Sequence, residues 1–359
     1  MGFFPPNIAK LQANHDVAGL AAGLEHSDFR IRERACDALA ALGDVTGLAT
    51  ALQHKDSTIR SRACKALGAL GDVAALPSLL SAVASDAELY VRVEAAVGIV
   101  ALNQPETAKP LVDAYLLAHR RWWGPHFQLA GQPDPNFDVN ERLLKGFGMI
   151  TVEFLGRWDP DASLFLELVE EPHPICRNRH SRRDMNEGED SMWETDEEVY
   201  HATVKAFCQS ADWTCLMQAR VGLVSLSREE GSYSDEALNA VLVSLQDPGR
   251  RDKCQISEIV RWFLASCTAN DWVGVDIAAD ALCARLASGP SGFTEDELRS
   301  IATVEDLRMT FWVAVYDDDY QKEIGGEEVF RVHDLSKPRE QARHELQRRG
   351  IALETTEGA

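Results

Sequence analysis

The chain has 359 residues, of which 45% are hydrophobic and 26% charged, and a formal net charge of −21. That length supports a large core, and the composition is that of a globular protein rather than a fibrous or disordered one. The acidic balance excludes nonspecific binding to nucleic acid or anionic membrane, which requires clustered Lys and Arg to neutralise phosphate, and leaves room for a basic protein partner.

Residues 1–14, opening MGFFPPNIAKLQ, read as a short N-terminal segment. They have no basic n-region and no long apolar h-region, so no signal peptide is expected, and Pro6 stands where a myristoylation motif wants Ser or Thr. No apolar run reaches the roughly 18–20 residues of a membrane span. Eight cysteines occur without a CxxC pair, several in helix-like contexts such as RACDAL and AADALCARL. This usage predicts small core residues in a reducing, cytoplasmic compartment.

From Asp16 the text repeats. RACDALAALGDV and RACKALGALGDV are near copies, and Asp16, Asp44 and Asp72 begin three units 28 residues apart. Matching positions agree in chemistry: Leu20, Leu48 and Leu76; Leu24, Leu52 and Leu80; Ile31, Ile59 and Val91; Ala35, Ala63 and Ala95; Leu39, Leu67 and Ile99; Leu42, Leu70 and Leu102. The later matches require four extra residues in the third unit, near Ser81–Asp86. A fixed period of this size predicts stacked helical hairpins, each covering the apolar face its neighbour cannot cover alone. In the second helix of a unit, Ile31, Ala35, Ala38, Leu39 and Leu42 form a one-sided stripe. Asp28 and Asp56 stand at the expected N-caps, and Gly43 and Gly71 at the expected left-handed C-termini. The small pairs at 35–36 and 63–64 are expected to let helices approach closely. The inner surface would be lined by the second helices, with Arg34, Arg62 and Lys65 as solvent-facing positions available to a partner.

The pattern DxxIRxRAxxALxxLGD resembles the HEAT-like repeat family, in the short form also found in phycobilin lyases, over residues 15–103. The resemblance implies an all-α fold, an α–α superhelix of antiparallel hairpins. It also implies a ladder in which the arginine of each unit, here Arg32, Arg60 and Arg92, pairs with an acidic residue. Asp28 and Asp56 lie four residues before Arg32 and Arg60, whereas the nearest Asp to Arg92 is Asp86, six before it. The third rung is therefore expected to depart from the pattern. The family spans scaffolds, adaptors and a few lyases, so it fixes architecture rather than activity.

Residues 104–312 continue with helix-like segments and short polar breaks, a diverged run of hairpins with two insertions. The first, 120–137, crowds Trp122, Trp123, His126 and Phe127 into a Pro/Gly-broken stretch; these aromatics either cap the adjoining helices or anchor a partner. The second, 173–198, sets four arginines before eight acids and reads as a solvated loop. Thr294 and Glu297 form an expected capping box. Residues 313–359 form a C-terminal extension closed by the polar, basic helix PREQARHELQRRG. Across its start, FWVAVYDDDYQKEIGGEEVFRVHDL (311–335) alternates like a β-hairpin, but a helix end followed by a loop is the favoured expectation.

Chemistry is sparse. His173, Cys176 and His180, with His201 or Cys208, have a spacing compatible with zinc, yet the intervening arginines would repel a cation, so no metal and no cofactor are expected. No GxSxG, HExxH, Walker loop or dinucleotide turn occurs. His26 and His54 recur two residues before the capping Asp and read as parts of the repeat. The leading expectation is a noncatalytic protein-binding scaffold. A lyase or protein-modifying enzyme is the alternative that family analogy supplies, and a nucleic-acid-binding solenoid is disfavoured by the charge.

Overall fold

The computed structural model describes residues 6–128, 137–170, 191–230, 235–316 and 323–352. The chain divides into two compact units, residues 1–210 and 211–359. Among the described residues no helix is long and apolar enough to cross a membrane.

In the first unit α1 (Ile8–Ala13) covers the open end through buried Ile8. Hairpins follow: α2 (Val17–Leu24) with α3 (Phe29–Leu42), α4 (Val45–Ala51) with α5 (Ser57–Leu70), and α6 (Leu76–Ser85) with α7 (Leu89–Leu102). Then come α8 (Ala108–Gln128) with α9 (Phe137–Trp158), and α10 (Ser163–Glu170) with α11 (Ser191–Ser210). The local chemistry explains the boundaries. Asp28 and Asp56 accept the backbone N–H of Arg30 and Thr58 at 2.9 and 3.0 Å, satisfying donors left free in the first turn. Gly43 and Gly71 end α3 and α5 at φ 70°, where a side chain would be strained; Asn103, at φ 54°, does the same for α7. Of the stripe predicted for α3, Ile31, Ala35, Ala38 and Leu39 are buried and Leu42 is half-buried.

The extra residues of the third repeat lengthen its first helix, from 7 residues in α4 to 10 in α6, behind a 3-10 turn at Val73–Ala75. One matched position slips as a result. Leu79 and Val83 are buried in α6, whereas Leu80, aligned with Leu24 and Leu52, is only half-buried.

Second helices pack on one another more closely than first helices do. α5 and α7 come very close at Gly68 and Gly98, where a Cβ built on Gly68 would stand 2.5 Å from Gly98 Cα. Nearby, Cys64 Sγ lies 3.9 Å from the Val91 carbonyl oxygen. Burial pushes the Cys36 thiol up to about 11 and the Cys64 thiol up to about 12, so both remain protonated core residues.

The second unit contains α12 (Trp213–Glu230), α13 (Asp235–Leu245), the short α14 (Pro248–Arg251), α15 (Ile256–Thr268), α16 (Trp272–Ser288) and α17 (Glu295–Ala302). Inside it Arg220 makes a two-pronged ion pair with Asp271 at 2.9 and 3.0 Å. The capping box is formed: Thr294 Oγ1 accepts the Glu297 N–H at 3.2 Å, and the Glu297 carboxylate accepts the Thr294 N–H at 2.8 Å.

Three expectations are corrected. First, the stretch 311–335 is not a helix end and a loop in its described residues: β1 (Leu307–Tyr316) and β2 (Glu323–His333) pair antiparallel, Leu307 opposite His333, with a register shift at Val315/Tyr316. The hairpin's base is fixed to α16, because His333 stacks on Trp272 at 5.2 Å and its Nε2 lies 3.0 Å from Asp276 Oδ1. Second, residues 120–128 are not a broken loop but the end of α8. Pro125 lacks an N–H, and its position in the last turn limits the loss to one bond near a fraying end. Third, the acidic end of the second insertion, from Ser191, is already helical as the start of α11.

The closing basic helix, α18 (Ser336–Arg348), is docked rather than free. Leu335, Ala342 and Leu346 are buried, and Arg343 Nε donates to the Ala302 carbonyl at 3.0 Å, at the end of α17. Arg339 Nη1 donates to the Val304 carbonyl at 2.8 Å and Arg349 Nη1 to that of Phe293 at 2.9 Å. These three arginines thus tie the end of the chain to carbonyls on either side of α17.

Candidate functional site

The inter-repeat ladder determines which charges remain available to a partner. Arg32 Nη2 donates to Asp56 Oδ2 at 2.6 Å, and its Nη1 donates to the carbonyls of His26 and Ser27, each at 3.0 Å. Arg60 repeats the arrangement one unit on, Nη1 donating to the His54 carbonyl at 2.9 Å. Its Nε and Nη2 then grip both carboxylate oxygens of Asp86, at 2.7 and 2.8 Å. This pair is nearly buried, with side chains 14% and 7% exposed.

The third unit's departure now has a physical account. In the first two units His26 and His54 accept the backbone N–H of Asp28 and Asp56 through Nδ1, at 3.0 and 2.9 Å, which holds the capping turn. Asp86 occupies the histidine's position. Its Oδ1 accepts the Glu88 N–H at 3.0 Å and its carbonyl accepts Arg92 Nε at 2.6 Å, while its carboxylate takes the rung from Arg60. One side chain performs two jobs, and the four added residues do not break the stack. The hydrogen bond from Arg32, with that from the Thr58 N–H, holds the Asp56 carboxyl below its ordinary value against the effect of its partial burial. Burial pushes Asp86 up, but Arg60 and the Glu88 N–H outweigh it, and the net shift is also downward.

Beside this rung a cleft of about 340 Å³ is lined by Gln53, His54, Arg60, Ser81, Ser85 and Asp86. Its polar groups are largely engaged within the protein: Arg60 with Asp86, and Ser85 Oγ with the Ser81 carbonyl at 2.8 Å.

The three cations read as open to a partner are not equivalent. Arg62 is half-buried, with Nη1 3.0 Å from Asp37 and Nη2 2.5 Å from Glu33, both on the preceding second helix. Lys65 is exposed but pairs with Glu94 of the following one at 3.0 Å. These contacts form a second, outer ladder that the alignment did not show. Arg34 is exposed and makes no ion pair among the described residues. Asp28 caps α3 and likewise has no ion pair among the described residues, since no arginine precedes it in the stack.

Along the same face the chemistry then changes. On α7, Val93, Val97 and Ala101 follow one side of the helix, with Val97 47% exposed; on the adjacent α9, Met149 is 41% exposed and Gly146 leaves open space around itself. The spacing Val93–Val97–Ala101 is visible in the sequence, but its outward direction depends on which stripe the neighbouring helices cover.

Trp122, Trp123, His126 and Phe127 lie on the helical backbone of α8, but their side chains lie outside the described residues, as do His173, Cys176 and His180. His201 and Cys208 lie on α11, both half-buried. Among the described residues no three His, Cys, Asp or Glu are grouped to hold a metal ion.

Comparison with known families matches HEAT repeats over residues 17–99 and 46–121, whereas no curated protein matches the chain. The hairpins α2 to α7 and the start of α8 fall inside the matched span, with the ladder that joins them. Residues 17–121 are HEAT repeats, stacked as an α–α solenoid.

Proposed function

We propose that this chain is a noncatalytic scaffold that binds a basic protein partner along the outward face of its second helices. The observation that carries the reading is the change of surface along that face. Charges on α3 and α5 are paired across repeats, whereas α7 and α9 each carry an exposed apolar side chain, Val97 and Met149. Exposed apolar side chains bordered by polar ones are typical of a protein interface, and the −21 net charge favours a cationic partner. Trp122 and Trp123, on the helix paired with α9, are proposed as its aromatic anchors, with His126 and Phe127 beside them. Affinity capture from a cell extract tests the proposal. Wild-type protein retains a stoichiometric partner, and the double variant Val97→Asp, Met149→Asp loses it while keeping its helical spectrum. Equal retention by both proteins contradicts it.

A further inference from the structure

The residues added in the third repeat, near Ser81–Asp86, do more than lengthen α6. Ser81, Ser85 and Asp86 stand opposite Gln53, His54 and Arg60, and the cleft of about 340 Å³ that they line lies within the size range of small-molecule sites. The ion pair in its wall is already committed. Arg60 Nε and Nη2 bind Asp86, and Nη1 binds the carbonyls of His54 and Lys55, which leaves little of the guanidinium for a ligand.

His54 is different. It is 6% exposed, and its Nδ1 accepts the Asp56 N–H at 2.9 Å, so the neutral ring carries its proton on Nε2. That Nε2 is buried and has no hydrogen-bond partner among the described residues. A buried donor without an acceptor is costly, and native structures keep few of them. The counterpart His26, in the unit that no insertion follows, is half-buried and has no such buried nitrogen. Around His54 the exposed side chains of Gln53 and Ser81 make no hydrogen bond among the described residues. Ser85 Oγ, which donates to the Ser81 carbonyl, can still accept. Leu52 and Ala82, both buried, supply the apolar part of the wall.

We infer that this cleft binds a small uncharged ligand that carries an amide. The amide carbonyl takes the His54 Nε2–H, and its N–H groups go to the Ser81 and Ser85 hydroxyls and the Gln53 side-chain oxygen. Nε2 is closed to bulk water, so a small turn of the imidazole brings it to the ligand, and the unpaired donor becomes a paired one. An anion is disfavoured by the Asp86 carboxylate, whose Arg60 partner is already taken, and a cation offers His54 no acceptor. The site uses none of the residues proposed to bind a protein partner, so it goes beyond the scaffold reading and does not depend on it.

The test uses the full chain and N-acetylglycinamide, with sodium acetate at matched ionic strength as the charged comparison, while histidine ring signals are followed by NMR. The His54 ring, assigned by its loss in His54→Asn, is expected to shift saturably with the amide in the millimolar range and to ignore acetate. His54→Asn keeps a side-chain oxygen for the Asp56 N–H but has no Nε2–H. It is expected to weaken binding at least about tenfold, read from the backbone amide shifts of residues 81–87. Ser81→Leu, at an exposed position, puts bulk into the cleft and is expected to remove the saturable response while keeping the helical spectrum, so the test does not depend on the folding of His54→Asn. His26→Asn should leave the affinity within about twofold. A His54 ring that ignores the amide, an equal response to acetate, or an unchanged affinity in Ser81→Leu would overturn the inference. No partner takes part in the titration, so its failure leaves the scaffold reading intact, and failure of partner capture leaves this site intact.

Discussion

Replacing Gly68 by Ala tests the contact on which the stacking of α5 and α7 depends. The added Cβ would lie 2.5 Å from Gly98 Cα and 3.5 Å from Gly98 N and C. Carbon atoms in contact prefer about 3.5–4.0 Å, so the two helices must separate by roughly 1 Å. The obstructing atom is backbone, and no side chain can rotate out of the way. The cost therefore belongs at the upper end of the roughly 1–3 kcal/mol typical of overpacking, offset by about 1 kcal/mol from the better helix propensity of Ala. A net loss of about 2 kcal/mol is expected. Gly146→Ala provides the control, because an added Cβ there meets nothing within 4 Å, and it should gain about 0.5–1 kcal/mol. Urea titrations followed by circular dichroism at 222 nm measure both changes as shifts in midpoint. A Gly68→Ala protein as stable as wild type would refute the close approach.

Other expectations follow from the ion pairs and aromatics. Asp56 and Asp86 have folded-state pKa values depressed below the usual carboxylate range, so their contribution to stability is fully present above about pH 4 and is lost as pH falls through the folded values. Melting temperatures recorded from pH 7 down to pH 2 should fall at the acid end, and less steeply in Asp86→Asn. Asp271→Ala strands buried Arg220, with side chains 8% and 4% exposed in the intact pair, and should cost about 3–5 kcal/mol in a thermal melt of the full chain. Trp122→Ala with Trp123→Ala should weaken partner binding well over tenfold and leave the melting temperature nearly unchanged. A large drop in that temperature would place both indoles in the core instead.

What could be read in advance was the locally determined part. Asp28 caps its own helix two residues on, and Gly43 relieves strain at its own φ, so neither needs knowledge of the rest of the chain. Contacts between repeats were harder to read. Gly68 and Gly98 look like weak helix formers until the stack presses them together, and Arg62 looks like a free cation until α3 brings Glu33 and Asp37 to it. In sequence Asp86 stands nearest to Arg92, whereas its carboxylate takes the rung from Arg60. The hairpin was missed for a related reason. Alternation in FWVAVY is as compatible with a helix end as with a strand until GGEEVF supplies a partner in register. The second unit also carries an unread copy of the repeat junction. Asn270-Asp-Trp-Val-Gly274 matches Gly43-Asp-Val-Thr-Gly47, with a left-handed residue before the Asp in both. In the second unit Asp271 turns to Arg220 instead of capping its helix.

The central claim is that partners dock on the outward face of the second helices, and amide hydrogen exchange of the full chain, free and with its captured partner, tests it most directly. The account predicts added protection concentrated in residues 89–102 and 137–158, the helices that carry Val97 and Met149. Protection confined to the first helices, or to residues 211–359, with α7 and α9 unchanged, would contradict it.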